Sequence, residues 1–167
     1  MRDTDTVLDF GAGTGLLTGR VAPAVRRVIA VDISPAMLEQ LAAKHGHTDR
    51  IAIRCQDLTV DPLGETVDLI VSAMAMHHVD DTDALLRALF AHLVPGGRVA
   101  LADLDAEDGS FHPADAQGVF HAGFDRAALG AAAARAGFQE IVFHDACTVT
   151  REGRTYPIFL LTGARPA

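Results

Sequence analysis

Val7-Leu8-Asp9-Phe10-Gly11-Ala12-Gly13-Thr14-Gly15 joins an apolar, strand-sized segment to a glycine-rich turn. Leu16, Leu17, Arg20 and Val21 then continue it as a short helical pattern that stops near Pro23. A strand that turns through glycines into a helix presents backbone N–H groups where a ligand can come close. Glycine suits such a turn because a Cβ would forbid the backbone conformation or collide with the ligand.

Outward from that turn, short apolar runs alternate with helical patterns, the mark of a parallel sheet with crossover helices. Arg27–Val31 reads as a second strand ending in Asp32, and Ser34-Pro35 starts a helix with Ser34 as its N-cap. Ile51–Arg54 and Val67–Ser72 read as the third and fourth strands. Asp80–Asp83 caps a helix that Pro95-Gly96-Gly97 is expected to end, before Arg98–Leu104 returns as the fifth strand. Asp125 caps an Ala-rich helix closed by Gly137, and Glu140–Thr150 pairs with Arg154–Thr162 across Arg151-Glu152-Gly153. Asp105–Gly123 is the least regular stretch, long enough to be either a functional loop or a tolerated surface one.

The chain has 167 residues, with 22 acidic against 14 basic side chains and a formal net charge of -8. One α/β domain spanning 1–167 accommodates this length, and no internal repeat or linker divides it. Its Lys and Arg residues are scattered, which argues against a nucleic-acid partner. No apolar run approaches the roughly 18 residues of a membrane helix, and no signal segment is visible. Cys55 and Cys147 form no paired motif, so a cytoplasmic protein is expected.

Two features separate this glycine turn from a dinucleotide site. The third glycine of that fingerprint would fall at position 16, which is Leu16. Asp9, just before the turn, would repel a pyrophosphate and attract a cationic ligand. Asp32, about 20 residues beyond the first glycine, is placed to accept hydrogen bonds from ribose hydroxyls. An NAD-dependent oxidoreductase is therefore the weaker alternative.

The run Val7–Gly15 resembles the first motif of class I S-adenosylmethionine-dependent methyltransferases. Val31-Asp32-Ile33-Ser34 is similar to that family's ribose-binding acidic motif, and Cys55-Gln56-Asp57-Leu58 to its adenine-contact motif. Val67–Ser72 followed by Met76-His77-His78-Val79, and the turn Leu93–Arg98, match two later motifs in order. The resemblance implies a Rossmann-like, doubly wound, seven-stranded sheet in the order 3-2-1-4-5-7-6, with the last strand antiparallel.

It also implies S-adenosyl-L-methionine as cofactor, S-adenosyl-L-homocysteine as product and a small-molecule methyl acceptor. By the same resemblance Asp9, Gly11, Ala12, Gly13 and Gly15 hold the methionine moiety and Asp32 holds the ribose. Ile33 packs on the adenine, Asp57 and Leu58 read its edge, and Ala73 lines the cofactor site at the end of the fourth strand. Core packing is the other reading of Ile33 and Leu58. A partner-dependent or non-catalytic cofactor-binding module is the alternative to an enzyme.

Transfer of a methyl group from a sulfonium needs alignment, water exclusion and, for some acceptors, removal of a proton. His78 is the leading general-base candidate, with His77 and Asp103 behind it and packing or capping as the competing readings. Neighbours on a strand end point opposite ways, so only one of His77 and His78 is expected to face the cofactor. His112 and His121 are loop residues that either close over substrate or stay solvated; His45, His47, His92 and His144 read as surface residues. A divalent-ion site from His77, His78, Asp103 and His121 lacks ligand spacing, so no metal is assigned. Relatives usually carry helices ahead of the first motif, and none is visible here. The expectation is a cleft open on that side unless a homodimer partner or an upstream segment covers it.

Overall fold

A computed structural model of the chain describes residues 1–46, 48–113 and 115–167. His47 lies outside the described residues. The central strand β1 (Thr6–Phe10) is buried along its whole length. It pairs in parallel with β2 (Arg27–Asp32) on one side and β4 (Val67–Ala73) on the other. β3 (Ile51–Cys55) extends the sheet beyond β2, and β5 (Leu93–Leu104) beyond β4. β7 (Arg154–Ala164) inserts antiparallel between β5 and β6 (Gln139–Arg151), which completes the order β3-β2-β1-β4-β5-β7-β6. Strand order therefore reverses between β1 and β4, and their carboxyl ends open the crevice where α/β sheets take ligands.

Both faces of the central strands β1, β2 and β4 are covered because those strands are apolar on both sides, whereas the edge strand β6 is mostly exposed. Ile29 and Val31 of β2 join Leu8, Phe10 and Ile70 in a core under α3 (Thr82–Ala91) and α4 (Arg126–Ala136). Val28 and Ala30 face the other way, toward α1 (Leu16–Val21) and α2 (Pro35–His45). Three expected caps close as side-chain bonds: Ser34 accepts from Met37 N–H, Asp81 from Ala84 and Asp125 from Ala128. Gly137, at φ 110°, ends α4 with Phe138 N–H donating to Ala133 O and its own N–H to Ala134 O, a Schellman closure.

The boundaries differ from expectation at three places. α3 stops at Ala91, and β5 starts at Leu93 rather than Arg98. Leu93 pairs with Val67 before the chain bulges through Pro95-Gly96 and resumes at Leu69↔Arg98; Gly96, at φ 76°, permits the bulge. The last hairpin turns on two residues, Glu152 (φ 50°) and Gly153 (φ 78°), because Arg151 still pairs with Arg154. His92 is buried rather than on the surface. Its Nδ1 donates to Ala88 O at 2.7 Å and its Nε2 accepts Leu63 N–H at 3.0 Å, tying the β3–β4 connection to the end of α3.

The connection from Asp105 to Gly123 is irregular but anchored. Ala106 N–H donates to Phe124 O and Glu107 N–H to Ala122 O, closing its base. Phe111 is buried beside Leu104, Tyr156 and Ile158, and the Arg151 guanidinium donates to Phe111 O at 2.7 Å. Arg126 grips Asp105 with two bonds of 2.6 and 2.7 Å.

Candidate active site at the β1–β4 crevice

The glycine turn takes three positive φ angles, at Gly11 (66°), Gly13 (52°) and Gly15 (83°). Two of these glycines are needed for different reasons. A Cβ on Gly11 would sit 2.2 Å from Ala75 Cβ, so the turn packs directly on the segment after β4. A Cβ on Gly13 would meet nothing within 4 Å, so that backbone borders open space. Ala12 and Gly15 are buried, and Ala12 N–H donates to Val31 O, fastening the turn to β2.

Asp32, at the end of β2, faces the same space. Its Oδ2 accepts Gly13 N–H and its Oδ1 accepts Ser34 N–H, both at 2.8 Å. Each oxygen keeps a further lone pair for a hydroxyl donor. Ile33 is 69% exposed beside it, so core packing does not explain that residue. Leu58 is the opposite case: it is buried in the core with Phe10 and Val31. Asp57 is exposed and accepts the Thr59 N–H and hydroxyl at 2.9 and 2.7 Å. Ala73 is exposed at the end of β4.

Asp9 points into the protein, 1% exposed, and accepts the Thr18 hydroxyl. Burial pushes its carboxyl up to about 6; the hydrogen bonds from Thr18 pull the other way, and the charge of Asp32 adds to the rise. Thr18 went unremarked in the sequence, although a hydroxyl early in the helix after a glycine turn is a readable signal.

Beyond β4 the chain is redirected by Met74, a non-glycine residue at φ 58°. His77 and His78 therefore sit on a 3-10 turn (Met76–His78), not on a strand end, and the expectation that they point opposite ways fails. Their ring centroids lie 4.1 Å apart. His77 is buried and its Nδ1 donates to Asp103 Oδ1 at 2.6 Å; Asp103, fully buried, also accepts Leu104 N–H at 2.8 Å. His78 is exposed, and its Nδ1 donates to Gly118 O at 2.6 Å.

The Asp105–Gly123 connection adds His112, whose Nε2 stands 3.1 Å from His77 Nε2. Partial burial, and the neighbouring His77 and His78, hold the His112 imidazole below the ordinary histidine value. His121 does not join this group. Its Nε2 lies 2.9 Å from Val79 O and 3.2 Å from Thr82 Oγ1, where it staples the connection to the start of α3.

Residues 7–97 match the family model described as a methyltransferase domain. An uncharacterized methyltransferase of Mycobacterium bovis is 33% identical over 98 residues, covering 59% of this chain and 50% of its own length. The cypemycin N-terminal methyltransferase of a Streptomyces species is 34% identical over 120 residues, covering 70% of this chain and 49% of the relative. The chain thus spans about half the length of the curated relatives it matches. The N-methyltransferase NodS of Bradyrhizobium japonicum, solved with S-adenosyl-L-homocysteine, superposes with a TM-score of 0.77 at 17% identity. That match covers 98% of this chain and 80% of NodS, and it shows the shared fold. With the fold, the glycine turn and the matched segment together, this chain belongs to the class I S-adenosylmethionine-dependent methyltransferase family.

Proposed function

We propose that this domain transfers a methyl group from S-adenosyl-L-methionine to a small-molecule acceptor at the β1–β4 crevice. The observation that carries the reading is the Asp32 carboxylate, held by Gly13 and Ser34 N–H groups beside open backbone and an exposed Ile33. A preset carboxylate next to an apolar surface matches a ribose joined to a flat base. When bound, the cofactor supplies an electrophilic methyl on a sulfonium, so the protein needs no covalent nucleophile.

The rest follows from what the chain's own groups do. The Gly11–Gly15 backbone receives the methionine end, with the buried Asp9 beneath it as a counter-charge, while Ala12 keeps the turn on β2 and Ala73 leaves the end of β4 open. Ile33 covers one face of the adenine. Asp57 offers its carboxylate to the adenine edge, and Leu58 contributes its backbone there while its side chain supports the core. Toward the acceptor, Asp103 fixes His77 with Nδ1 as the donor and the lone pair on Nε2, which His112 must leave for that nitrogen to take the acceptor's proton. The Asp103 carboxylate, which would steady the charge His77 gains with the proton, favours His77 over His78 as the base; His78, backed only by a carbonyl, orients the connection through Gly118.

Calorimetry with S-adenosyl-L-homocysteine and with NAD tests the cofactor. Transfer of labelled methyl to a panel of small amines, phenols and carbon acids tests the reaction. Binding of NAD in place of S-adenosyl-L-homocysteine refutes the reading. Tight binding with no transfer to any acceptor replaces the enzyme with a binding module.

A further inference from the structure

Three imidazoles converge where the sequence shows no ligand spacing. One ring nitrogen from each of His77, His78 and His112 lies within 4.8 Å of the other two. The Nε2 atoms of His77 and His112 are 3.1 Å apart. Two bonds of about 2.0–2.1 Å to a tetrahedral zinc ion place their nitrogens about 3.3 Å from each other. The pair thus already stands near the separation that one shared ion imposes.

The far side of two rings is equally telling. A carboxylate and a carbonyl only accept, so Nδ1 donates in both His77 and His78, to Asp103 and Gly118. Each neutral ring then carries its lone pair on Nε2. A carboxylate or backbone carbonyl behind the ring is the usual outer partner of a metal-bound imidazole, fixing its tautomer and raising its basicity. The third ring is held as well. Phe111, the preceding residue, is buried against Tyr156, and Arg151 grips its carbonyl.

We propose that His77, His78 and His112 bind one borderline-soft divalent ion, of which zinc is the first choice. An all-imidazole donor set disfavours magnesium and calcium, which take oxygen ligands. Three protein ligands leave a fourth position free, as in open rather than structural zinc sites. Ion and proton compete for His77 Nε2, so metal loading displaces the proton-accepting role given above. The site itself does not depend on methyl transfer and is tested by binding alone.

The test uses a Cys55→Ser/Cys147→Ser background, because both thiols are exposed and bind soft ions themselves. Cobalt(II) is titrated by visible absorption, and zinc by competition with a chromophoric chelator. The expected result is saturable uptake of one ion per chain with the intense bands of four-coordinate cobalt. His112→Ala and His78→Ala should each weaken binding by more than the roughly 10–100-fold that loss of an outer partner costs. His144→Ala, an exposed position on β6, should leave it unchanged. Melting curves of the metal-free variants separate lost ligands from lost folding. Absence of one-to-one uptake, or equal affinity in the parent and in a folded His112→Ala, overturns the site and leaves a proton-bridged histidine pair.

Discussion

Nδ1 of His77 lies 2.6 Å from Oδ1 of Asp103, and neither side chain reaches solvent. Because Asp103 also accepts the Leu104 and His77 backbone N–H groups, its carboxylate cannot swing away from the ring. The imidazole is thus engaged at both edges, by Asp103 at Nδ1 and by His112, whose Nε2 stands 3.1 Å from its Nε2.

Asp103→Asn keeps the shape but replaces the carboxylate behind the ring. If His77 takes the acceptor's proton, turnover should fall about 10²–10⁴-fold, the usual contribution of a positioned base. The dissociation constant for S-adenosyl-L-homocysteine should stay within a few-fold, since Asp103 is buried on β5, with β1 and β4 between it and Asp32 on β2 and β4 between it and the strand that leads into the glycine turn. Kinetics and calorimetry on a variant shown by melting to be folded check this. Unchanged turnover ends the proposed role.

Asp32→Asn addresses the other half of the site. An amide nitrogen cannot accept from a backbone N–H, so one of the bonds to Gly13 and Ser34 is lost with the charge that a ribose hydroxyl would meet. Loss of a charge-assisted contact of this kind costs about 1–3 kcal/mol, hence roughly 5–150-fold in cofactor affinity. Calorimetry with S-adenosyl-L-homocysteine reads it directly, and an unaltered constant removes Asp32 from the site.

Local chemistry explains what could be read before the structure. Gly11, Gly13 and Gly15 announce left-handed backbone, Ser34-Pro35 a helix start and Asp32 a strand end, each from a few neighbouring residues. The cluster at the rim was not legible because distant contacts build it. His112 reaches His77 only through the packing of Phe111 on Tyr156 and the grip of Arg151. Met74, in a conformation that side chains usually avoid, turns the histidine pair off the strand axis. His92 looked like a surface residue until Leu63 came back to it across the β3–β4 connection.

Asp9 gives a pH signature of opposite sign to most carboxylates. Its folded value, about 6, stands above the ordinary 3.8, so the folded chain holds this proton more tightly than the unfolded one. The associated stability is fully present below about pH 4 and is lost as pH rises through about 6. The size is on the order of 3 kcal/mol. Asp9→Asn has no such proton. Its unfolding free energy relative to the parent should therefore climb between pH 4 and pH 7. Urea unfolding of both proteins across that range measures the difference, and a flat difference contradicts the buried-carboxyl account.

Two glycines of one turn should fail in different ways. Alanine at either Gly11 or Gly13 must adopt a left-handed backbone, at roughly 1–2 kcal/mol. Gly11→Ala additionally drives its Cβ to 2.2 Å from that of Ala75, an overlap that costs about 1–3 kcal/mol more as β4's continuation is pushed aside. Gly13→Ala meets no protein atom within 4 Å, so its penalty falls on the ligand space instead. Gly11→Ala is thus expected to show the larger drop in melting temperature. Gly13→Ala should melt closer to the parent yet lose most of its affinity for S-adenosyl-L-homocysteine. Thermal denaturation and calorimetry on the two variants decide the matter: normal cofactor affinity in a folded Gly13→Ala would place the ligand somewhere other than this turn.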